Sequence, residues 1–131
     1  MNAISIQATE STPTIKCDFE NELIEILGRS IPENATEFYS PLIEWVTDFG
    51  NSEKQNLKII FFLDYLNSIS FKMIFEILLL TEKIKQDGKN VSILWKYDEG
   101  DEQILDEGSY FSSKLDIPFS FEEVPEEDSP F

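Results

Sequence analysis

The stretch from Leu57 to Leu80 (LKIIFFLDYLNSISFKMIFEILLL) changes its hydrophobic period midway, and that change constrains the architecture more than any other part of the chain. Leu57, Ile59, Phe61, Leu63 and Tyr65 recur at every second position while Ile60 and Phe62 fill the alternate ones. This is the pattern of a central strand buried on both faces and covered by helices. From Ser70 the repeat becomes helical: Met73, Ile74, Ile77, Leu80 and Ile84 share a face, and Gly88 supplies a stop. Asn67-Ser68-Ile69-Ser70 is therefore a helix start at the carboxyl end of a strand, with Asn67 or Ser68 as the N-cap. Unpaired backbone N–H groups and the macrodipole at such a start favour an anion. Capping alone would account for both serines, contributing about 0.5–2 kcal/mol.

The flanking segments extend the pattern to an α/β fold. Short strands are expected at Ile4 to Ala8, Thr14 to Phe19 and Leu23 to Leu27, followed by a loop from Gly28 to Asn34. A helix then places Ala35, Phe38, Leu42, Trp45, Val46 and Phe49 on one face, with Pro41 either kinking it or opening a second segment capped by Ser40. Val91 to Tyr97 reads as a strand, in which Trp95 and Tyr97 serve the fold and the rim of a binding surface. The acidic run Asp98 to Glu107 starts as a loop and becomes a short helix toward Phe111, and a last strand is expected at Pro118 to Glu123. An antiparallel meander followed by parallel crossovers gives a mixed sheet of about five or six strands packed with helices. Functional surfaces of such sheets lie beyond the carboxyl ends of the strands, where Asn67 to Ser70 falls. Residues 1–123 form a single domain, and 124–131, acidic and without apolar periodicity, is expected to be a frayed tail.

Composition narrows the function classes. Twenty-six acidic residues against 10 basic ones give a formal charge of −16, which repels phosphate backbones and anionic headgroups, so a protein partner is expected rather than nucleic acid or a membrane. The absence of histidine removes Ser-His-Asp and Cys-His nucleophile systems, and the five scattered glycines form neither a P-loop nor a dinucleotide fingerprint. No cofactor is implied, and the acidic run lacks the spacing of a calcium loop, so no metal site is assigned. Cys17 stands alone as an apolar filler, and neither a signal peptide nor a transmembrane-length apolar run is present, in keeping with a cytoplasmic protein. Two rival functions remain: an enzyme using Asp64 or Asp98 as general acid or base, and an acidic decoy occupying a basic protein groove.

Several segments together resemble the SiaC family of bacterial regulatory phosphoproteins: Ser11-Thr12-Pro13, Gly28 to Asn34, Phe38-Tyr39 with Trp45, Leu63 to Lys72, and Trp95 to Asp101 through Gly108. The resemblance implies a fold similar to the STAS domains of anti-sigma-factor antagonists. It also implies partner switching without an active site: a serine/threonine protein kinase phosphorylates one hydroxyl at the helix start, a PP2C-type phosphatase removes the phosphate, and the unmodified form binds a downstream protein. For the family's namesake branch that target is a diguanylate cyclase. The family's phosphoacceptor threonine falls on Ser68, with Asn67, Ser70 and Lys72 shaping the site, whereas Ile69 and Phe71 stand where the family carries hydroxyls.

One more feature concerns binding. Phe71, Phe75 and Leu79 form an i, i+4, i+8 row that drifts from the core face toward Lys72, Glu82, Lys83 and Gln86. A helix with one buried face does not need this second apolar row. It is expected to be exposed and to contact the partner, or a second copy of the chain as a homodimer, close to Ser68.

Overall fold

The computed structural model describes residues 3–131. Six strands and three α-helices follow in the order β1 (Ile4–Ile6), β2 (Thr14–Asp18), β3 (Leu23–Ser30), α1 (Ala35–Gly50), β4 (Asn56–Leu66), α2 (Ser68–Gln86), β5 (Asn90–Asp98), α3 (Glu102–Lys114) and β6 (Phe119–Val124). The strands lie in one sheet in chain order. β1, β2 and β3 are antiparallel, and β3 to β6 are mutually parallel with a helix in each connection. The α/β class and the mixed sheet of the sequence reading are thus observed.

The helices pack on the sheet face that carries Ile24, Ile59, Ile93 and Trp95, where the main core forms. Trp95 is fully buried, donates its indole N–H to the Ile104 carbonyl at 2.9 Å, and lies against Phe61 and Phe111. Its fit to α3 depends on Gly108, because a Cβ there would stand 2.4 Å from the indole.

The other face of the sheet departs from expectation. Phe62 is buried but stands outside the main core, with the Phe131 ring edge-on to it at 5.0 Å and the Lys96 ammonium 6.0 Å from its centroid. Phe62 is therefore covered by Phe131 and Lys96 rather than by a second helical layer, and Ile60 stays half-buried. Residues 124–131, read from composition as a frayed tail, include a 3-10 turn at Glu126–Asp128 before Phe131 reaches the sheet.

Three local differences bear on the site. β3 does not stop at Leu27: Gly28, at φ 126°, carries it through to Ser30. Opposite it, the β3–β4 register shifts from Gly28↔Leu63 to Arg29↔Tyr65, leaving Asp64 as an extra residue. Such a bulge inverts the side-chain alternation. Tyr65, which strict alternation would bury, is turned out, and Leu66 is turned into the core. In α1, Asn34 caps the helix by accepting the Glu37 N–H, and Pro41 sits within one continuous helix on its exposed side. The buried aromatic is Tyr39, with Phe38 half-buried edge-on to it, because the Tyr39 hydroxyl has a polar partner in the interior.

Candidate functional site

The strand-to-helix junction is organised by Asn67. Its backbone is extended, its side-chain carbonyl accepts the Ser70 N–H at 2.9 Å, and its backbone carbonyl accepts the Phe71 N–H at 2.9 Å. Of the two cap candidates Asn67 is the one used. Ser68 is the first helical residue and is exposed, with its hydroxyl free of any side-chain capping bond. The N-cap's own side chain thus satisfies the N–H of Ser70, leaving earlier amides of the first turn without an intrahelical partner beside an accessible hydroxyl.

Ser70 is different. It is fully buried, its hydroxyl accepts from the Ser30 hydroxyl at 2.8 Å, and Ser30 in turn lies 2.6 Å from the Tyr39 hydroxyl. With the single Ser30 proton directed at Ser70, the phenol donates to Ser30. A further bond from the Asn67 N–H to the Ser30 carbonyl at 3.1 Å ties the same strand end to the junction. These buried hydroxyls join β3, α1 and α2 at one point and hold the first turn of α2. Sequence reasoning missed Ser30 and Tyr39. The available signal was a hydroxyl residue at a strand end and a tyrosine whose polar tip, on a buried helix face, needs a partner.

Burial pushes the Tyr39 phenol up from its ordinary 10.0 to about 12. The folded pKa is raised, so this contribution to stability is full below pH 10 and is lost as the pH climbs toward about 12, because the unfolded tyrosine ionises first. Urea unfolding across that range is expected to show the decline. Tyr39→Phe is expected to lose this component and to be less stable at pH 7 by about 0.5–1.5 kcal/mol.

Ser68 stands between two shallow clefts. One, of about 470 Å³, is lined by Thr36, Ser68, Ile69, Lys72, Met73 and Glu76. The other, of about 330 Å³, includes Tyr65, Asn67, Ser68, Phe71, Gln103 and Glu107. Lys72, one turn beyond Ser68, is exposed and forms no ion pair among the described residues. On the opposite side, burial raises the Glu107 carboxyl above its ordinary range, partly offset by the bond from Gln103 Nε2 at 3.2 Å and reinforced by the nearby Asp101 charge. Ser68 therefore has Lys72 with Glu76 on one side and the Glu107 carboxyl of α3 on the other.

The apolar surface differs from the row expected along α2. Phe71 stacks on Phe111 at 4.6 Å and Phe75 lies parallel to Phe111 at 6.1 Å, with Tyr110 beside both, so α3 closes over these two residues and leaves them half-buried. Only Leu79 of the row is open, at 41% exposure. The sequence placed a row on α2 but had no means of locating α3 against it. The exposed apolar groups nearest the junction are instead Ile69, at 64%, and Tyr65, with Tyr110 further along α3. Ile69 was visible as an apolar residue in a polar cap; Tyr65 was hidden by the bulge.

Asp64, a candidate acid for an enzymatic reading, is the bulge residue and is ion-paired with Arg29 at 3.9 Å. Asp98 closes β5, and each of the two carboxylates keeps one buried oxygen without a hydrogen-bond partner among the described residues. Neither residue lines the clefts beside Ser68.

Comparison with known proteins agrees with this architecture. Residues 6–124 match the model of the SiaC family regulatory phosphoproteins. An uncharacterised protein of Pseudomonas aeruginosa (strain UCBPP-PA14) is 33% identical over 122 residues, covering 93% of this chain and 97% of that protein. The crystal structure of apo-SiaC from Pseudomonas aeruginosa superposes with a TM-score of 0.85 at 30% identity, over 93% of this chain and 99% of that one. The matched chain in the crystal structure of the diguanylate cyclase SiaD in complex with its activator SiaC, from the same organism, gives a TM-score of 0.88 at 32% identity, over 92% and 99% of the two chains. With the family model spanning nearly the whole fold, the chain belongs to the SiaC family of regulatory phosphoproteins.

Proposed function

We propose that this protein is a non-enzymatic, cytoplasmic partner-switching regulator whose binding to a diguanylate cyclase is controlled by phosphorylation of Ser68. The observation that carries the reading is the contrast at the start of α2: Ser68 is exposed on the first helical residue, whereas Ser70 is fully buried and committed to Ser30. A kinase reaches the first and not the second. The choice of target is supported by the similarity to the SiaC that was crystallised with the cyclase it activates.

The switch needs only local chemistry. A phosphate on Ser68 adds about −1.5 to −2 charges. It is repelled by Glu107 and by Glu76 in the Lys72 cleft and drawn toward Lys72 itself and the free amides of the first turn, where the folded chain accommodates it. A partner seated on Ile69 and Tyr65, with Leu79, Tyr110 and the outer edges of Phe71 and Phe75 continuing the surface, meets a buried charge and a steric block instead. A serine/threonine protein kinase and a PP2C-type phosphatase complete the cycle.

The test compares wild type, Ser68→Ala and Ser68→Glu in pull-downs from the native cell, followed by affinity measurements with the recovered cyclase and phosphopeptide mapping. Ser68→Ala is expected to bind like the unmodified protein, and the phosphorylated form at least about tenfold more weakly. Recovery of no cyclase, equal affinities for the two forms, or modification confined to another residue overturns the reading.

A further inference from the structure

We propose that the free edge of β6 is a docking site for an extended, lysine- or arginine-bearing segment of a partner protein, which joins the sheet as an additional strand. β6 ends the sheet and pairs only with β5. The Pro118 carbonyl accepts the Ile93 N–H at 3.0 Å and the Val124 carbonyl accepts the Glu99 N–H at 2.9 Å, which fixes the parity of the ladder. Alternate residues of a parallel strand bond the same neighbour, so the backbone N–H and C=O groups of Phe119, Phe121 and Glu123 point away from β5. Among the described residues no strand lies beyond them.

Edges of this kind are usually blunted by shortness, bulges, proline or lysine. β6 runs six residues in unbroken register with β5, with proline only outside it at Pro118 and Pro125; its one blunting device is the charge of Glu122 and Glu123, which a basic strand would neutralise. Phe119 and Phe121 stack at 6.1 Å on one face of the edge, and Phe121 remains 39% exposed. An added strand would cover these rings while pairing the open backbone groups.

Charge selects the occupant. Glu122 and Glu123 lie on β6, Glu126, Glu127 and Asp128 follow in the 3-10 turn beyond it, and residues 119–131 contain no lysine or arginine. Lys96 reaches only Glu122, at 3.8 Å. A second copy of the chain would bring the same carboxylates and the same −16 charge against themselves, which disfavours β6–β6 pairing. A basic strand with apolar alternate residues matches both the carboxylates and the aromatic pair.

This surface is independent of Ser68, and its test does not involve the cyclase. The probe is a seven-residue peptide of alternating lysine and valine, with a glutamate–valine peptide as control, titrated against the full chain. Glu123→Pro and Glu123→Gln remove the same charge, but only the proline also removes an outward N–H, at a position where it breaks no bond to β5. The lysine peptide is expected to bind wild type and Glu123→Gln, and to bind Glu123→Pro about tenfold more weakly. In wild type it is expected to slow amide exchange at Phe119, Phe121 and Glu123, a readout that does not rely on the proline variant folding. No binding, equal binding of the glutamate peptide, equal affinity for the two variants, or protection elsewhere overturns the proposal.

Discussion

Ser70→Asp is expected to destabilise the protein by about 3–5 kcal/mol, while Ser68→Asp, two residues earlier, is expected to leave it as stable as wild type or up to about 1 kcal/mol more stable. Ser70 is fully buried, and its hydroxyl accepts the Ser30 proton at 2.8 Å within a chain that ends on Tyr39. A carboxylate there loses its hydration and has no cation to face; if it stays neutral, it still crowds a packed interior. At Ser68 the same carboxylate is solvated and meets the positive end of α2. Chemical denaturation of both variants at pH 7 measures the difference. Equal effects at the two positions would mean that the buried hydroxyl chain does not hold the start of the helix.

Phe111→Ala is expected to cost about 3–5 kcal/mol, the range for truncating a fully buried aromatic. Phe111 has no exposed surface, stacks on Phe71 at 4.6 Å, and meets Trp95 edge-on at 5.6 Å. It is the residue through which α3 grips both α2 and the sheet. Phe75→Ala, at a half-buried site on the same contact, is expected to cost less, and Ile69→Ala, at 64% exposure, almost nothing in stability. Target affinity is expected to follow a different order. If the proposed function holds, Ile69→Ala is expected to weaken cyclase binding without unfolding the chain, whereas Phe111→Ala is expected to act through the fold. Thermal midpoints and affinities measured on the same three variants separate the two effects. A Phe75→Ala loss as large as that of Phe111→Ala would mark Phe75 as core rather than surface.

These contrasts follow the boundary between what sequence and tertiary structure each decide. The change of period between Leu63 and Ser70 located the β4–α2 junction, because the strand repeat of 2.0, apolar here on both faces, gives way to the 3.6-residue repeat of a helix with one buried face. The antiparallel meander followed by parallel crossovers also followed from the alternation of elements, whereas the order of strands in the sheet was seen only in the structure. Similarly, the residue pattern through Asn67 and Ser68 was enough to mark a capped helix start, and the combination of that segment with Ser11 to Pro13, Gly28 to Asn34, Phe38 to Trp45 and Trp95 to Gly108 indicated the family.

Which hydroxyl is accessible was decided only by the fold. Ser68 and Ser70 are equally good helix-start residues in sequence, and their difference comes from Ser30, 40 residues away, and Tyr39 on another helix. Likewise the extra residue at Asp64 turns Tyr65 outward, and the packing of α3 half-buries Phe71 and Phe75. Periodicity assigns each side chain to a face of its own element. Whether that face meets water, a hydroxyl or another helix depends on long-range contacts that the local pattern does not encode.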